Sequence, residues 1–84
     1  SMKQLLYFSA PLCQPCKTLG PIMDQVSHQA NVKKVNVDNS PEMASHYGVR
    51  SVPTVILVNE LGEEKGRLVG VQSGQAYLDM YNQN

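Results

Sequence analysis

Cys13 and Cys16 are the chain's two cysteines, set two residues apart in the segment Ala10-Pro11-Leu12-Cys13-Gln14-Pro15-Cys16-Lys17. A bridge between them closes too small a loop to remove much unfolded-state entropy, so the pair is poorly suited to stapling a fold. Thiol–disulfide exchange is the chemistry that this spacing suits, with a pair of incidental buried thiols as the plainer alternative. An apolar run precedes the pair and a helical pattern follows it, which places Cys13 at a helix start. There the unpaired backbone N–H groups and the positive end of the helix dipole favour a thiolate, by about 0.3–1 kcal/mol at an exposed terminus. Cys13 is therefore the expected nucleophile and the more exposed sulfur. Cys16 lies one turn later, where it can attack a mixed disulfide formed on Cys13, and is the expected resolving thiol. Pro15 fits the first helical turn, where a missing N–H costs least, and it stiffens the connection between the sulfurs.

A metal site is the other chemistry open to C-x-x-C, and it requires further ligands. His28 and His46 are too far apart to form the second half of a zinc finger and read as solvent-facing helix residues, so neither metal nor bound cofactor is expected. Seven basic and seven acidic residues cancel, with no block of like charge, which argues against nucleic acid or an anionic membrane as partner. No apolar stretch approaches the roughly 20 residues of a membrane span and no leader pattern opens the chain, so cytoplasmic residence is expected. Ser1 ahead of Met2 reads as a tag remnant. Residues 2–84 are then one domain, near the lower size limit for a self-sufficient core.

The elements that must position the cysteines follow from periodicity. Residues 3–9 form a first, mostly buried strand. From Gln14 to Ala30, Leu19, Ile22, Met23 and Val26 recur at helical steps, and Pro21 inside that helix predicts a kink. Residues 32–38 alternate as a second strand, and Asn39-Ser40-Pro41 turns into a short helix from Pro41 to Tyr47 that stops at Gly48. Residues 54–59 are almost wholly apolar and suit a central strand; Glu60-Leu61-Gly62-Glu63 turns the chain into a hairpin partner at about 64–70. Ser73 caps a last helix carrying Ala76, Tyr77, Met80 and Tyr81 at helical spacing. The order β-α-β-α-β-β-α is an α/β layer structure in which the first two strands are parallel and the last two antiparallel, a mixed sheet.

P-x-C-x-P-C-K near the start, K-V-N-V-D in the middle, Y-G-V-R-S-V-P-T after it and L-V-G near the end together resemble the thioredoxin family over nearly the whole chain. The resemblance implies a minimal thioredoxin fold with a four-stranded mixed sheet in the order 2-1-3-4 and three helices. It implies a proline in the cis form at Pro53, against a general X-Pro frequency of about 5–6%, and a glycine beside the site at Gly70. The implied docking groove is Leu12, Gln14, Pro15, Val52, Pro53, Gly70 and Val71, a largely apolar rim around Cys13; for Val52 and Val71 ordinary packing is an equal reading. The function implied is reduction of protein disulfides by a monomer recharged by an NADPH-dependent thioredoxin reductase.

Departures from the family pattern bear on that expectation. The usual extra N-terminal strand and helix are absent, Leu12 stands where a tryptophan usually precedes the nucleophile, and Gln14 replaces a small residue between the cysteines. Tyr7 aligns with the buried aspartate that assists the resolving cysteine, and the aspartate's lysine partner is present as Lys34. Proton removal from Cys16 is then expected to fall to water or to the leaving thiolate. A glutathione-linked glutaredoxin-like enzyme, a non-catalytic partner-binding module, and a zinc- or cluster-binding dimer are the rival readings. Against the first, Leu61-Gly62-Glu63-Glu64 reads as a hairpin turn and not as a glutathione-holding stretch.

Overall fold

A computed structural model describes residues 2–84; Ser1, read above as a tag remnant, lies outside the described residues. The elements are β1 (Gln4–Ser9), α1 (Gln14–Val26), β2 (Val32–Asn36), α2 (Pro41–His46), β3 (Thr54–Val58), β4 (Glu64–Val69) and α3 (Gly74–Gln83). Hydrogen-bonded neighbours run β2-β1-β3-β4 in one four-stranded sheet. β1 pairs in parallel with β2 and antiparallel with β3, and β3 pairs antiparallel with β4, with a register irregularity between Leu57 and Val58. The sheet is the mixed, 2-1-3-4 arrangement expected.

Period-two alternation along the strands divides the core between the two faces of the sheet. Leu5, Tyr7, Val55 and Leu57 face one side, where Leu19, Met23 and Val26 of α1 and Tyr77 and Tyr81 of α3 cover them. Leu6, Phe8, Val35, Ile56 and Val58 face the other, against Met43 and Ala44 of α2 and against Tyr47, Val49 and Val52. β3 is buried along its whole length because both of its faces are covered, which explains why every residue after Thr54 in it is apolar. The edge strands carry charge instead, with Lys33 and Lys34 exposed on β2 and Glu64 and Lys65 on β4, a pattern that discourages further strand pairing.

Several boundaries are shorter than the periodicity predicts. α1 ends at Val26 and not at Ala30: beyond Val26 the residues Ser27-His28-Gln29 offer nothing to bury, and i→i+3 bonds from His28 to Gln25 (3.1 Å) and from Gln29 to Val26 (2.9 Å) close the chain into a turn. Consequently His28 is an exposed turn residue, not the helix residue expected. β2 ends at Asn36, whose side-chain oxygen accepts the Asp38 N–H at 2.9 Å and turns the backbone away from the ladder. α2 stops at His46, one residue early, with Gly48 at φ +63 as the left-handed residue that ends it. Ser40 stands at the N-cap of α2 but makes no side-chain capping bond, whereas Ser73 caps α3 by accepting the Ala76 N–H at 3.2 Å. Asn59 organises the β3–β4 turn, its side-chain oxygen accepting from Leu61 N–H (3.0 Å) and Glu63 N–H (2.9 Å).

Candidate active site

The chain leaves β1 at Ser9, turns over Ala10–Leu12 and enters α1 with Cys13 in extended backbone at the N-cap. The Cys13 and Cys16 sulfurs are joined in a disulfide, with their Cα atoms 5.2 Å apart. Cys13 Sγ takes the place of a capping oxygen, accepting the Cys16 backbone N–H at 3.2 Å. In the reduced state the same N–H, together with the helix dipole, is aimed at charge on Cys13 and favours its thiolate over that of Cys16. Both bridged residues are buried, Cys13 at 9% and Cys16 at 6% exposure of the whole residue.

Cys13 Sγ also lies 3.6 Å from the Val52 carbonyl oxygen. A bridged sulfur has no proton to give, so this is a close contact here; a reduced Cys13 thiol could donate across it. The Val52–Pro53 peptide bond is cis, as the resemblance implied. Pro53 is fully buried, and its carbonyl accepts the Gly70 N–H at 2.9 Å. Three segments thus meet at one end of the sheet: the β1–α1 turn with Leu12 and the first residues of α1, Gln14 and Pro15, beside Cys13; the segment before β3 with Val52 and Pro53; and the segment after β4 with Gly70 and Val71. Leu12 is 99% exposed and Val71 38%, so both present apolar surface to solvent. Val52 is half-buried and packs against the α2 face of the core, so packing accounts for part of its environment. At Gly70 the requirement for glycine is conformational: φ is +79, and a Cβ there would meet open space.

Behind Cys16 lies a separate cleft of about 340 Å³, lined by Tyr7, Ser9, Ala10, Pro11, Cys16, Lys17, Gly20, Lys34 and Asn36. It includes neither Cys13 nor the Val52–Pro53 rim, and none of its lining residues is a carboxylic acid. The Tyr7 hydroxyl donates to the Cys16 carbonyl oxygen at 3.2 Å. Burial pushes the Tyr7 phenol above its ordinary value; the Ser9 side chain pulls the other way, and the Asp24 carboxylate adds to the rise. Tyr7 therefore stays protonated at neutral pH and acts as a donor. Lys34 is exposed, with Nζ 5.9 Å from the centroid of the Tyr7 ring, at the outer limit of a cation–π contact.

His46 is exposed at the end of α2, its ring edge-on to Tyr47 at 4.7 Å. Among the described residues no three potential metal-ligating side chains come together, and no helix is long and apolar enough to cross a membrane. One residue of the site region escaped the sequence reading. Tyr77, which helical periodicity marks only as apolar, is fully buried, yet its hydroxyl reaches the loop after β4, donating to Gly70 O at 3.1 Å and accepting from Gln72 N–H at 3.0 Å. A buried tyrosine implies some hydrogen-bond partner, but nothing local in the sequence says which.

The profile of the Thioredoxin family matches residues 1–82. A thioredoxin of Rickettsia felis is 39% identical over 84 residues, covering 95% of this chain and 79% of the relative, and one of Rickettsia typhi is 41% identical over 81 residues, covering 92% and 76%. Among solved structures, a thioredoxin variant from Halobacterium salinarum superposes with a TM-score of 0.90 at 36% identity over 99% of this chain and 74% of that one. A reduced Schistosoma mansoni thioredoxin gives 0.88 at 33% identity, over 99% and 79%. With a cysteine pair at the helix start that already forms the bridge such chemistry requires, and with these matches along almost its entire length, the chain belongs to the thioredoxin family of dithiol–disulfide oxidoreductases.

Proposed function

We propose that the protein reduces protein disulfides, with Cys13 as nucleophile and Cys16 as resolving thiol. The observation that carries this division of labour is the Cys16 N–H at 3.2 Å from Cys13 Sγ, a donor that would stabilise a thiolate formed on Cys13. In the reduced protein the Cys13 thiolate attacks a substrate sulfur, forming a mixed disulfide and releasing the first substrate thiolate. Cys16 gives its proton to water or to that thiolate, since the cleft beside it is lined by no carboxylate, and then attacks Cys13 Sγ. The second substrate thiolate leaves, two electrons have passed to the substrate, and the protein is left with the Cys13–Cys16 disulfide seen here.

Leu12, Gln14, Pro15, Val52, Pro53, Gly70 and Val71 form the docking rim in this reading. The exposed Leu12 and Val71 supply apolar contact to a substrate chain. The working form is a monomer in the cytoplasm, binding no metal or cofactor, and its electrons come from an NADPH-dependent thioredoxin reductase. Against glutathione as donor, Leu61-Gly62-Glu63-Glu64 lies at the end of β3 remote from Pro53, about 17 Å away along five residues of strand.

Insulin-disulfide reduction with NADPH and thioredoxin reductase, run beside a glutathione and glutathione-reductase arm and a Cys13→Ser control, tests the proposal. Cysteine-dependent turnover in the first arm is the expected result. Turnover with glutathione alone would transfer the protein to the glutaredoxin-like reading, and silence in both arms would favour a partner-binding module.

A further inference from the structure

The segment between β4 and α3 is only four residues long, Gly70 to Ser73, and each of its anchors is visible. Gly70 N–H is bonded to Pro53 O at 2.9 Å, the Gln72 side chain folds back to Val69 O at 3.1 Å, and Ser73 caps α3. The remaining anchor is a single hydroxyl. Tyr77, rooted in the core with its ring fully buried, receives the Gln72 N–H and donates to Gly70 O. Its two bonds therefore bracket Val71, whose own side chain stands toward solvent. Because Gly70 is bonded at once to Tyr77 and to Pro53, the hydroxyl ties α3 to the loop that touches Cys13 Sγ.

We propose that Tyr77 is a positioning residue for substrate docking, holding the Gly70–Gln72 loop and Val71 in their receiving geometry before a substrate arrives. The inference rests on the reading of this rim as the docking surface. Glycine at φ +79 has the widest conformational freedom of any residue, so a loop built on it loses affinity through disorder unless something holds it. Apolar packing alone could bury a phenylalanine at this position; only the hydroxyl can bond both backbone groups. Burial also keeps the Tyr77 phenol above its ordinary value, so that it remains a donor to Gly70 O through the neutral range. Substrates that engage only the sulfurs do not need the loop, which separates its contribution from the exchange chemistry.

The test is steady-state reduction of insulin and of a small aromatic disulfide by the full chain and by Tyr77→Phe and Val71→Asp variants, at a temperature where all are folded by circular dichroism. Hydrogen exchange at the Gln72 amide is followed in the wild type and in Tyr77→Phe. Expected for Tyr77→Phe are a KM for insulin raised about three- to tenfold, kcat within about twofold, an unchanged rate with the small disulfide, and faster Gln72 exchange. Val71→Asp is expected to raise the insulin KM as well. If Val71→Asp does so and Tyr77→Phe does not, the docking surface stands and the clamp is refuted. Should Val71→Asp leave KM unchanged, the docking reading itself fails and the proposal falls with it. Equal losses of kcat on both substrates in Tyr77→Phe, or an unprotected Gln72 amide in the wild type, would also overturn it.

Discussion

Replacing Tyr7 by phenylalanine separates two roles for the hydroxyl beside the resolving cysteine. The substitution keeps the buried ring, its packing between Leu19, Met23 and the strands, and the face presented to Lys34; it deletes the bond to the Cys16 carbonyl. That bond is 3.2 Å long, beyond the usual hydroxyl–oxygen range, which puts its net worth in the lower part of the common interval, about 0.5–1 kcal/mol. In a domain of this size roughly 4–8 °C of thermal midpoint corresponds to each kcal/mol, so the variant is expected to melt about 2–8 °C lower. Turnover in the insulin assay is expected to stay within about twofold, because a phenol that burial keeps protonated does not take a proton from Cys16. The assay is thermal unfolding by circular dichroism together with the rate of insulin reduction as a function of pH. A more than about tenfold fall in turnover with the melting point unchanged would refute the reasoning and assign the hydroxyl a part in proton transfer at Cys16.

Cys16→Ser is expected to accumulate a covalent mixed disulfide with a protein substrate, visible on a non-reducing gel and abolished by dithiothreitol; Cys13→Ser accumulates none, and trapping by Cys13→Ser instead would reverse the assigned roles. Stability is expected to fall in alkali. Tyr7 and Tyr77 are both raised above 10.0, so the folded protein holds these protons to higher pH than the unfolded chain; their contribution is fully present below about pH 10 and is lost as pH rises through the folded values. Urea unfolding as a function of pH checks this, and an alkaline slope no shallower in the Tyr7→Phe, Tyr77→Phe double variant would contradict it. Ser73→Ala removes the cap on α3 and is expected to lower stability by about 1 kcal/mol in denaturant unfolding, against no measurable change for Ser40→Ala, whose side chain caps nothing.

The parts of this protein legible in the residues are those governed by short-range rules. Helical spacing at Leu19, Met23 and Val26, the apolar run of β3, the stop at Gly48 and the cap at Ser73 each depend on a few neighbouring residues. The placement of Cys13 at a helix start is of the same kind, and it carries the chemistry. Helix and strand ends were less legible, because the run after Val26 and the Asn36 side chain decide between competing local hydrogen bonds. The family pattern, not periodicity, supplied the sheet order, the cis bond at Pro53 and the importance of Gly70. What only the tertiary structure decided are the meetings between residues far apart in the chain: Cys13 with the Val52 carbonyl, Tyr7 with Lys34 across β1 and β2, and Tyr77 with the loop after β4. The physical reason is that a tyrosine in an amphipathic pattern buries its ring wherever the core is, whereas the partner of its hydroxyl is set by which backbone groups the finished fold leaves unpaired at that spot.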